Sequence, residues 1–257
     1  MRYHQVRNAT CVLEFDSGRV LVDPMLGQPG TLPPYAFVRH RARRNPLTPL
    51  PDGWEEMLEG VEVCLLSHIH FGTNCDHLDA AGVRWLKEHG VRLMCRSGDE
   101  KRLRKKGLAP DPISVSGMPL LSGTITPYPT SHGRGIVGKL MGPGAGYFLA
   151  LENGPSVYLT GDTVLTDTVR DVLTKHQPDV CIVPGGGARL DLGGPVLMDL
   201  DELVEFIELA PGRVIINHIG ALNHCPIQFD DIRQRLTEDQ QERVYLVADG
   251  ESVELRD

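Results

Sequence analysis

The stretch Val61-Glu62-Val63-Cys64-Leu65-Leu66-Ser67-His68-Ile69-His70 constrains this chain more than any other. Its first six residues are short, apolar and partly β-branched, the pattern of a buried strand. Side chains of an extended backbone alternate in direction, so His68 and His70 leave the strand end as a pair facing one way. Phe71-Gly72-Thr73-Asn74-Cys75 and Asp76-His77-Leu78-Asp79 follow, and an amphipathic helix is predicted over 79–89. Three imidazoles and two carboxylates at one strand-to-helix turn suit a transition metal. A polar loop with locally bonded histidines would account for one imidazole, but is a poor account of three beside two aspartates.

Length and charge narrow the partners. A chain of 257 residues can bury a full core, and we expect one domain over 1–257. The net charge of −8 opposes a nucleic-acid backbone or an anionic membrane as main partner. No apolar stretch reaches membrane-spanning length, and Met1-Arg2-Tyr3-His4 opens straight into strand-like sequence. Cys11, Cys64, Cys75, Cys95, Cys181 and Cys225 are scattered and form no CxxC pair, so reduced thiols and a cytoplasmic location are expected. The implied partner is a small-molecule substrate, with homo-oligomers left open.

Strands are predicted over 2–7, 10–15 and 19–22, with Asp16-Ser17-Gly18 as a hairpin turn. Asp23-Pro24 ends the third, leaving Asp23 either to cap the turn or to support a site beyond the sheet edge. Residues 27–53 are proline-rich and carry Arg39-His40-Arg41-Ala42-Arg43-Arg44, which reads as a surface excursion without a core of its own. Its arginines are either a solvated run or a grip for an anionic substrate. Beyond 89 come strand 91–95, helix 99–107 and strands 113–115, 120–121, 124–128, 144–151 and 156–160. The last third alternates helix 164–175, strand 179–183, helix 199–209, strand 213–217, helix 228–237 and strand 243–247. Two series of strands, each running into helix–strand alternation, imply two facing sheets with helices outside.

The remaining polar candidates recur in one kind of place. His132 follows the strand Thr124-Ile125-Thr126-Pro127-Tyr128, Asp162 follows Val157-Tyr158-Leu159-Thr160, and His218 follows Arg213-Val214-Ile215-Ile216-Asn217, with His224 six residues on. Ends of neighbouring strands converge, which is where layered folds assemble their sites. With these motifs, with Asn8-Ala9-Thr10 through Asp23-Pro24-Met25 and with Gly161-Asp162-Thr163, nearly the whole chain resembles the metallo-β-lactamase-fold hydrolase superfamily. The nearest resemblance is to its small-hydrolase branch, which includes ascorbate-phosphate lactonase. The stretches around Gly133-Arg134-Gly135 and Gly185-Gly186-Gly187 also resemble those of uncharacterised relatives. The resemblance implies an αββα sandwich, a four-layer α/β (α+β) fold, with a dinuclear site along one edge of the sheets. His68, His70 and His132 would hold one metal, Asp76, His77 and His218 the other, and Asp162 would bridge them.

One departure stands out. The family pattern His-x-His-x-Asp-His has one residue before the aspartate, and this chain has five, residues 71–75. Either these bulge outward, helped by Gly72 and Asn74, or they spoil the second site, which Cys75 would then re-ligand. The first outcome implies a hydroxide shared by two metals, made available near neutral pH, attacking a small ester, lactone or phosphoester. Asp76 or His224 would protonate the leaving group, Asp23 and Asp79 would orient imidazoles, and Arg134 and Lys139 are candidates to receive an anionic group. The second outcome implies a non-catalytic binding module with one metal or none. Nitrogen and oxygen donors suit zinc first, two ions per chain, with manganese or iron open. Redox work at two irons is disfavoured, because the chain has no room for a flavin domain.

Overall fold

The structure, a computed structural model, describes residues 1–69 and 75–255. His70 and residues 71–74 of the long motif lie outside the described residues.

The first sheet contains β1 (Arg2–Arg7), β2 (Thr10–Phe15), β3 (Gly18–Val22), β4 (Val61–Leu66), β5 (Arg92–Arg96) and β6 (Pro110–Ile113). The second contains β7 (Met118–Leu120), β8 (Gly123–Ser131), β9 (Pro143–Leu151), β10 (Val157–Leu159), β11 (Val180–Pro184), β12 (Arg213–Asn217) and β13 (Val244–Leu246). β14 (Ser252–Glu254) returns to the first, giving orders β14-β1-β2-β3-β4-β5-β6 and β13-β12-β11-β10-β9-β8-β7. In each sheet an antiparallel meander passes into a parallel series, at β3–β4 in one and at β10–β11 in the other. The helices are α1 (Trp54–Met57), α2 (Ala80–His89), α3 (Glu100–Lys105), α4 (Gly135–Met141), α5 (Asp167–His176), α6 (Leu200–Leu209), α7 (Phe229–Arg233) and α8 (Glu238–Arg243). No helix among the described residues is long and apolar enough to cross a membrane.

Strand alternation builds the layers. Val63 and Leu65 of β4 face a shared core with Val180 and Ile182 of β11, while Cys64 and Leu66 turn to the opposite face. There they meet Leu86 of α2 and Leu103 of α3. On the second sheet Cys181 and Val183 meet Val169 and Val172 of α5 and Phe206 of α6. Period-two strands that are apolar on both faces require cover on both sides, and the result is the αββα sandwich. All six cysteines are buried and free.

Several segments differ from the sequence expectation. The strand predicted over 124–128 runs on to Ser131 as β8, through Pro127 and Pro129. Its pairing with β7 stops at Ile125, so these prolines have a ladder partner on one side only. The strand expected over 113–115 is instead β6, placed by its parallel register on β5, Leu93↔Pro110 to Arg96↔Ile113. The helix expected over 228–237 stops at Arg233, and Thr237 caps a second helix in a reciprocal box with Gln240. The excursion after β3 is not coreless, because Leu32, with Tyr35 partly buried beside it, packs on Met25, Val196, Leu197 and Leu222.

Asp79 anchors that excursion. Its carboxylate caps α2 at Gly82 N (2.7 Å) and accepts from Leu26 N (3.2 Å) and Gly27 N (2.6 Å). It binds main chain here rather than orienting an imidazole. Gly82 is pressed so closely on the loop that a Cβ would lie 2.1 Å from Pro24 O. Helix propensity alone predicts that Gly82→Ala stabilises α2 by about 1 kcal/mol. The packing predicts the opposite sign, a loss of about 1–3 kcal/mol in denaturant unfolding.

Candidate metal centre

Each inward side chain sits where an apolar strand ends. Asp23 follows β3 with φ 45°, His68 lies just past β4, His132 follows β8, Asp162 lies past β10, and His218 follows β12 with φ 60°. Asp76 and His77 immediately precede the capped start of α2. Gly161 turns the chain so that Asp162 points inward: its φ is +60°, and a Cβ would lie 2.6 Å from Ala145 O.

Asp162 is the hub. Its Oδ2 is 3.1 Å from His77 Nε2, 3.4 Å from His132 Nε2 and 3.6 Å from His218 Nε2. Asp76 Oδ2 lies 3.7 Å from His77 Nε2 and 3.5 Å from His218 Nε2. Two buried donor groups result, Asp76 with His77, Asp162 and His218, and His68 with His132 and Asp162, each with its ligand atoms within 4.8 Å of one another. Asp162 belongs to both.

The opposite nitrogen of each imidazole is held from behind. His77 Nδ1 donates to Asp23 Oδ2 at 2.8 Å, and His132 Nδ1 donates to Val196 O at 2.6 Å. Asp23 also accepts from Ser67 N (2.8 Å) and Ser67 Oγ (2.7 Å), so the Ser67 oxygen is left to accept from His68 Nδ1 at 2.9 Å. Cys225 Sγ lies 3.7 Å from His218 Nδ1. Such outer contacts fix the tautomer and leave Nε2 to face the centre. Asp23 therefore serves a support role, the alternative its sequence position had left open.

The electrostatics demand positive charge at the centre. Burial would raise the Asp162 and Asp76 carboxyls, but the facing imidazoles, His77 foremost, hold both far below the carboxylate range. Burial would lower His77 and His218, but Asp162 foremost pushes both up. His132 stays lowered by burial, the neutral form that a ligand needs. Buried Asp162 Oδ1 has no hydrogen-bond partner among the described residues. An unpaired carboxylate oxygen inside a ring of nitrogens fits a cation of the zinc, manganese or iron type.

The five-residue spacing does not scatter the second group, because Asp76 and His77 stand with His218 and Asp162. Cys75 is outside both groups, buried among apolar neighbours with Sγ 4.0 Å from Leu78 O. His70 falls outside the described residues. His224 is buried one layer out, with Nδ1 3.9 Å from Cys225 Sγ and its ring edge-on to Tyr35 at 5.1 Å. Arg134 pairs with Glu202 and donates to Leu165 O at 3.1 Å, and Lys139 is exposed on α4. Sequence reasoning left Ser67, Val196 and Cys225 without roles. Ser67 sat inside the motif, whereas a carbonyl acceptor such as Val196 O leaves no mark in a sequence.

No family model matches the chain. The UPF0173 protein YddR of Bacillus subtilis is 28% identical over 236 residues, 91% of each chain. A UPF0173 metal-dependent hydrolase of Agrobacterium fabrum is 30% identical over 199 residues, 72% of each chain.

This chain belongs to the UPF0173 family of metal-dependent hydrolases.

Solved structures place the UPF0173 chain in the metallo-β-lactamase fold. A possible metal-dependent hydrolase from Veillonella parvula superposes with TM-score 0.88, at 24% identity over 99% of each chain. Isothiocyanate hydrolase from Delia radicum gut bacteria does so with TM-score 0.86, also at 24% identity over 99% of each. The metallo-β-lactamase fold protein YhfI of Bacillus subtilis gives 0.63 at 12% identity, over 98% of each chain.

Asp23 supports two imidazoles from behind, directly at His77 and through Ser67 at His68. Asp23→Asn is therefore expected to weaken zinc affinity about 10- to 100-fold, read by competition with a chromophoric chelator. Unchanged affinity would contradict the support role.

Proposed function

We propose that this UPF0173 hydrolase holds two divalent ions, zinc by preference, and adds water to a small electrophile bound between them. The observation that carries the reading is that Asp162 is common to both donor groups. His68, His132 and, from outside the described residues, His70 would hold one ion. Asp76, His77 and His218 would hold the other, with Asp162 touching both. Such a pair supplies a water acidified toward neutral pH and polarises the oxygen that becomes negative.

The chain's own residues prepare that point. Asp23, Ser67, Val196 and Cys225 aim four imidazoles so that little reorganisation is left for the reaction. Asp76, held ionised by His77 and His218, serves as a ligand before it serves as an acid. His224 stands one layer out and is the better placed of the two to pass a proton to the leaving atom.

Among esters, lactones and phosphoesters, carbon electrophiles are favoured. Three of the candidate arginines for a phosphate are engaged elsewhere. Arg39 Nε donates to Leu190 O (3.0 Å), Arg44 Nε to Gly30 O (2.6 Å), and Arg134 pairs with Glu202. Exposed Phe37 and Val38 are drawn beside Leu192 through Asp191, which accepts from both of their amides (2.8 and 2.9 Å). Phe37 and Val38, exposed on the loop that carries Tyr35, suit an uncharged substituent. The isothiocyanate hydrolase of the same fold acts on one such carbon electrophile, and isothiocyanates join esters and lactones as candidates.

The test is turnover of p-nitrophenyl acetate, γ-butyrolactone, benzyl isothiocyanate and bis(p-nitrophenyl) phosphate by the protein as isolated, after chelation and after zinc reloading. At least one carbon substrate should be hydrolysed, the activity lost to chelator and restored by zinc. Asp162→Asn should lower the rate at least about 10²-fold and bind fewer than two zinc ions. Activity indifferent to chelator, or confined to the phosphodiester, would overturn the reading.

A further inference from the structure

The loop after β3 brings a phenol against His224 and the Asp76 backbone, beside the centre. Tyr35 lies on the excursion after β3, and its ring meets the His224 ring edge-on, at 5.1 Å and 80°. Its hydroxyl is buried and completes no hydrogen bond among the described residues, although it lies against the Asp76 backbone amide. Buried hydroxyls ordinarily find partners. Tyr3 donates to Gln5 Oε1 (2.5 Å) and Tyr147 to Leu66 O (2.7 Å). Tyr158 is the other buried tyrosine without a partner among the described residues, and it faces the helix layer of α5 and α6, away from the donors.

The backbone around Tyr35 is held on both sides. Asn223 Oδ1 accepts from Tyr35 N (2.9 Å), and Asn223 Nδ2 donates to Ala36 O (2.7 Å). Asn45 is tied to Asn223 by two bonds, Asn45 Nδ2 to Asn223 Oδ1 (3.2 Å) and Asn223 N to Asn45 Oδ1 (2.8 Å). Asn223 directly precedes His224, so one short segment positions both the phenol and the imidazole.

We propose that Tyr35 is a substrate-contacting residue whose hydroxyl donates a hydrogen bond to the substrate atom that becomes negative as water adds. No proton is transferred in this role. A phenol is protonated throughout the neutral range, so its hydroxyl is available there as a donor. The inference rests on the hydrolase reading above, and it names the chain's own contribution to stabilising that charge.

The experiment compares Tyr35→Phe with the parent enzyme, both zinc-loaded, in kcat/KM, zinc content and binding of inorganic phosphate by equilibrium dialysis. The variant removes one oxygen that has no hydrogen-bond partner among the described residues, and it should keep its zinc and its melting temperature. Its kcat/KM should fall about 10- to 100-fold and its phosphate affinity should fall about tenfold, the range for a hydrogen bond to a charged acceptor. Parent-like kcat/KM and phosphate binding would overturn the proposal, as would zinc loss in step with the activity, because Tyr35 would then be a prop for Asp76. A parent enzyme with no turnover fails the hydrolase reading instead, and Tyr35 is then judged on phosphate binding alone. Asn223→Ala, which frees the loop and leaves the phenol intact, should lower kcat/KM in the same direction with its zinc retained.

Discussion

A buried carboxylate shared by two groups of donors is the constraint around which this molecule is arranged. Asp162 sits between two sets of donors, with one oxygen facing three imidazole nitrogens and the other without a hydrogen-bond partner among the described residues. An isolated charge in such a place is costly by far more than a domain's net stability. The surroundings answer by pushing His77 and His218 toward their charged forms. Binding a cation displaces protons in general, and this cluster of buried donors is a candidate to take one.

The fold makes that convergence possible. Each sheet changes from antiparallel to parallel pairing part-way across, and strands near that change deliver Asp23 and His68 from the first sheet and Asp162 from the second. Ligand sites in layered folds lie beyond strand ends where the connection pattern changes. The sheets are also stitched directly at this edge, by His218 N to Asn8 O (3.0 Å) and Ala145 N to Ser67 O (3.1 Å). Support residues thus come from both halves, and precise placement is bought with main-chain contacts rather than with flexible side chains.

Much of this was legible in the chain because polar residues at the exits of apolar strands carry a local signature. His68, His132, Asp162 and His218 were each found that way, and Asp76 and His77 by adjacency. The layer order was legible for the same reason, since strands apolar on both faces need cover twice. What escaped was set by distant partners. The Val196 carbonyl is invisible in residue identities. The Tyr35 backbone is held by Asn223, 188 residues away, a partner that no local pattern announces. α4 had no counterpart in the sequence reading, since Gly135 and Gly138 are poor helix formers, and its Val137 and Met141 pack on the cluster around Leu32 and Leu197. The helix expected over 228–237 ends at Arg233, and Thr237, in a capping box with Gln240, starts another.

Anomalous diffraction at the zinc edge from zinc-loaded crystals tests the central claim most directly. The account predicts two peaks about 3.5–4 Å apart, both in contact with the Asp162 carboxylate, one ringed by His68 and His132 and the other by Asp76, His77 and His218. A single peak, or peaks that leave Asp162 untouched, would contradict it.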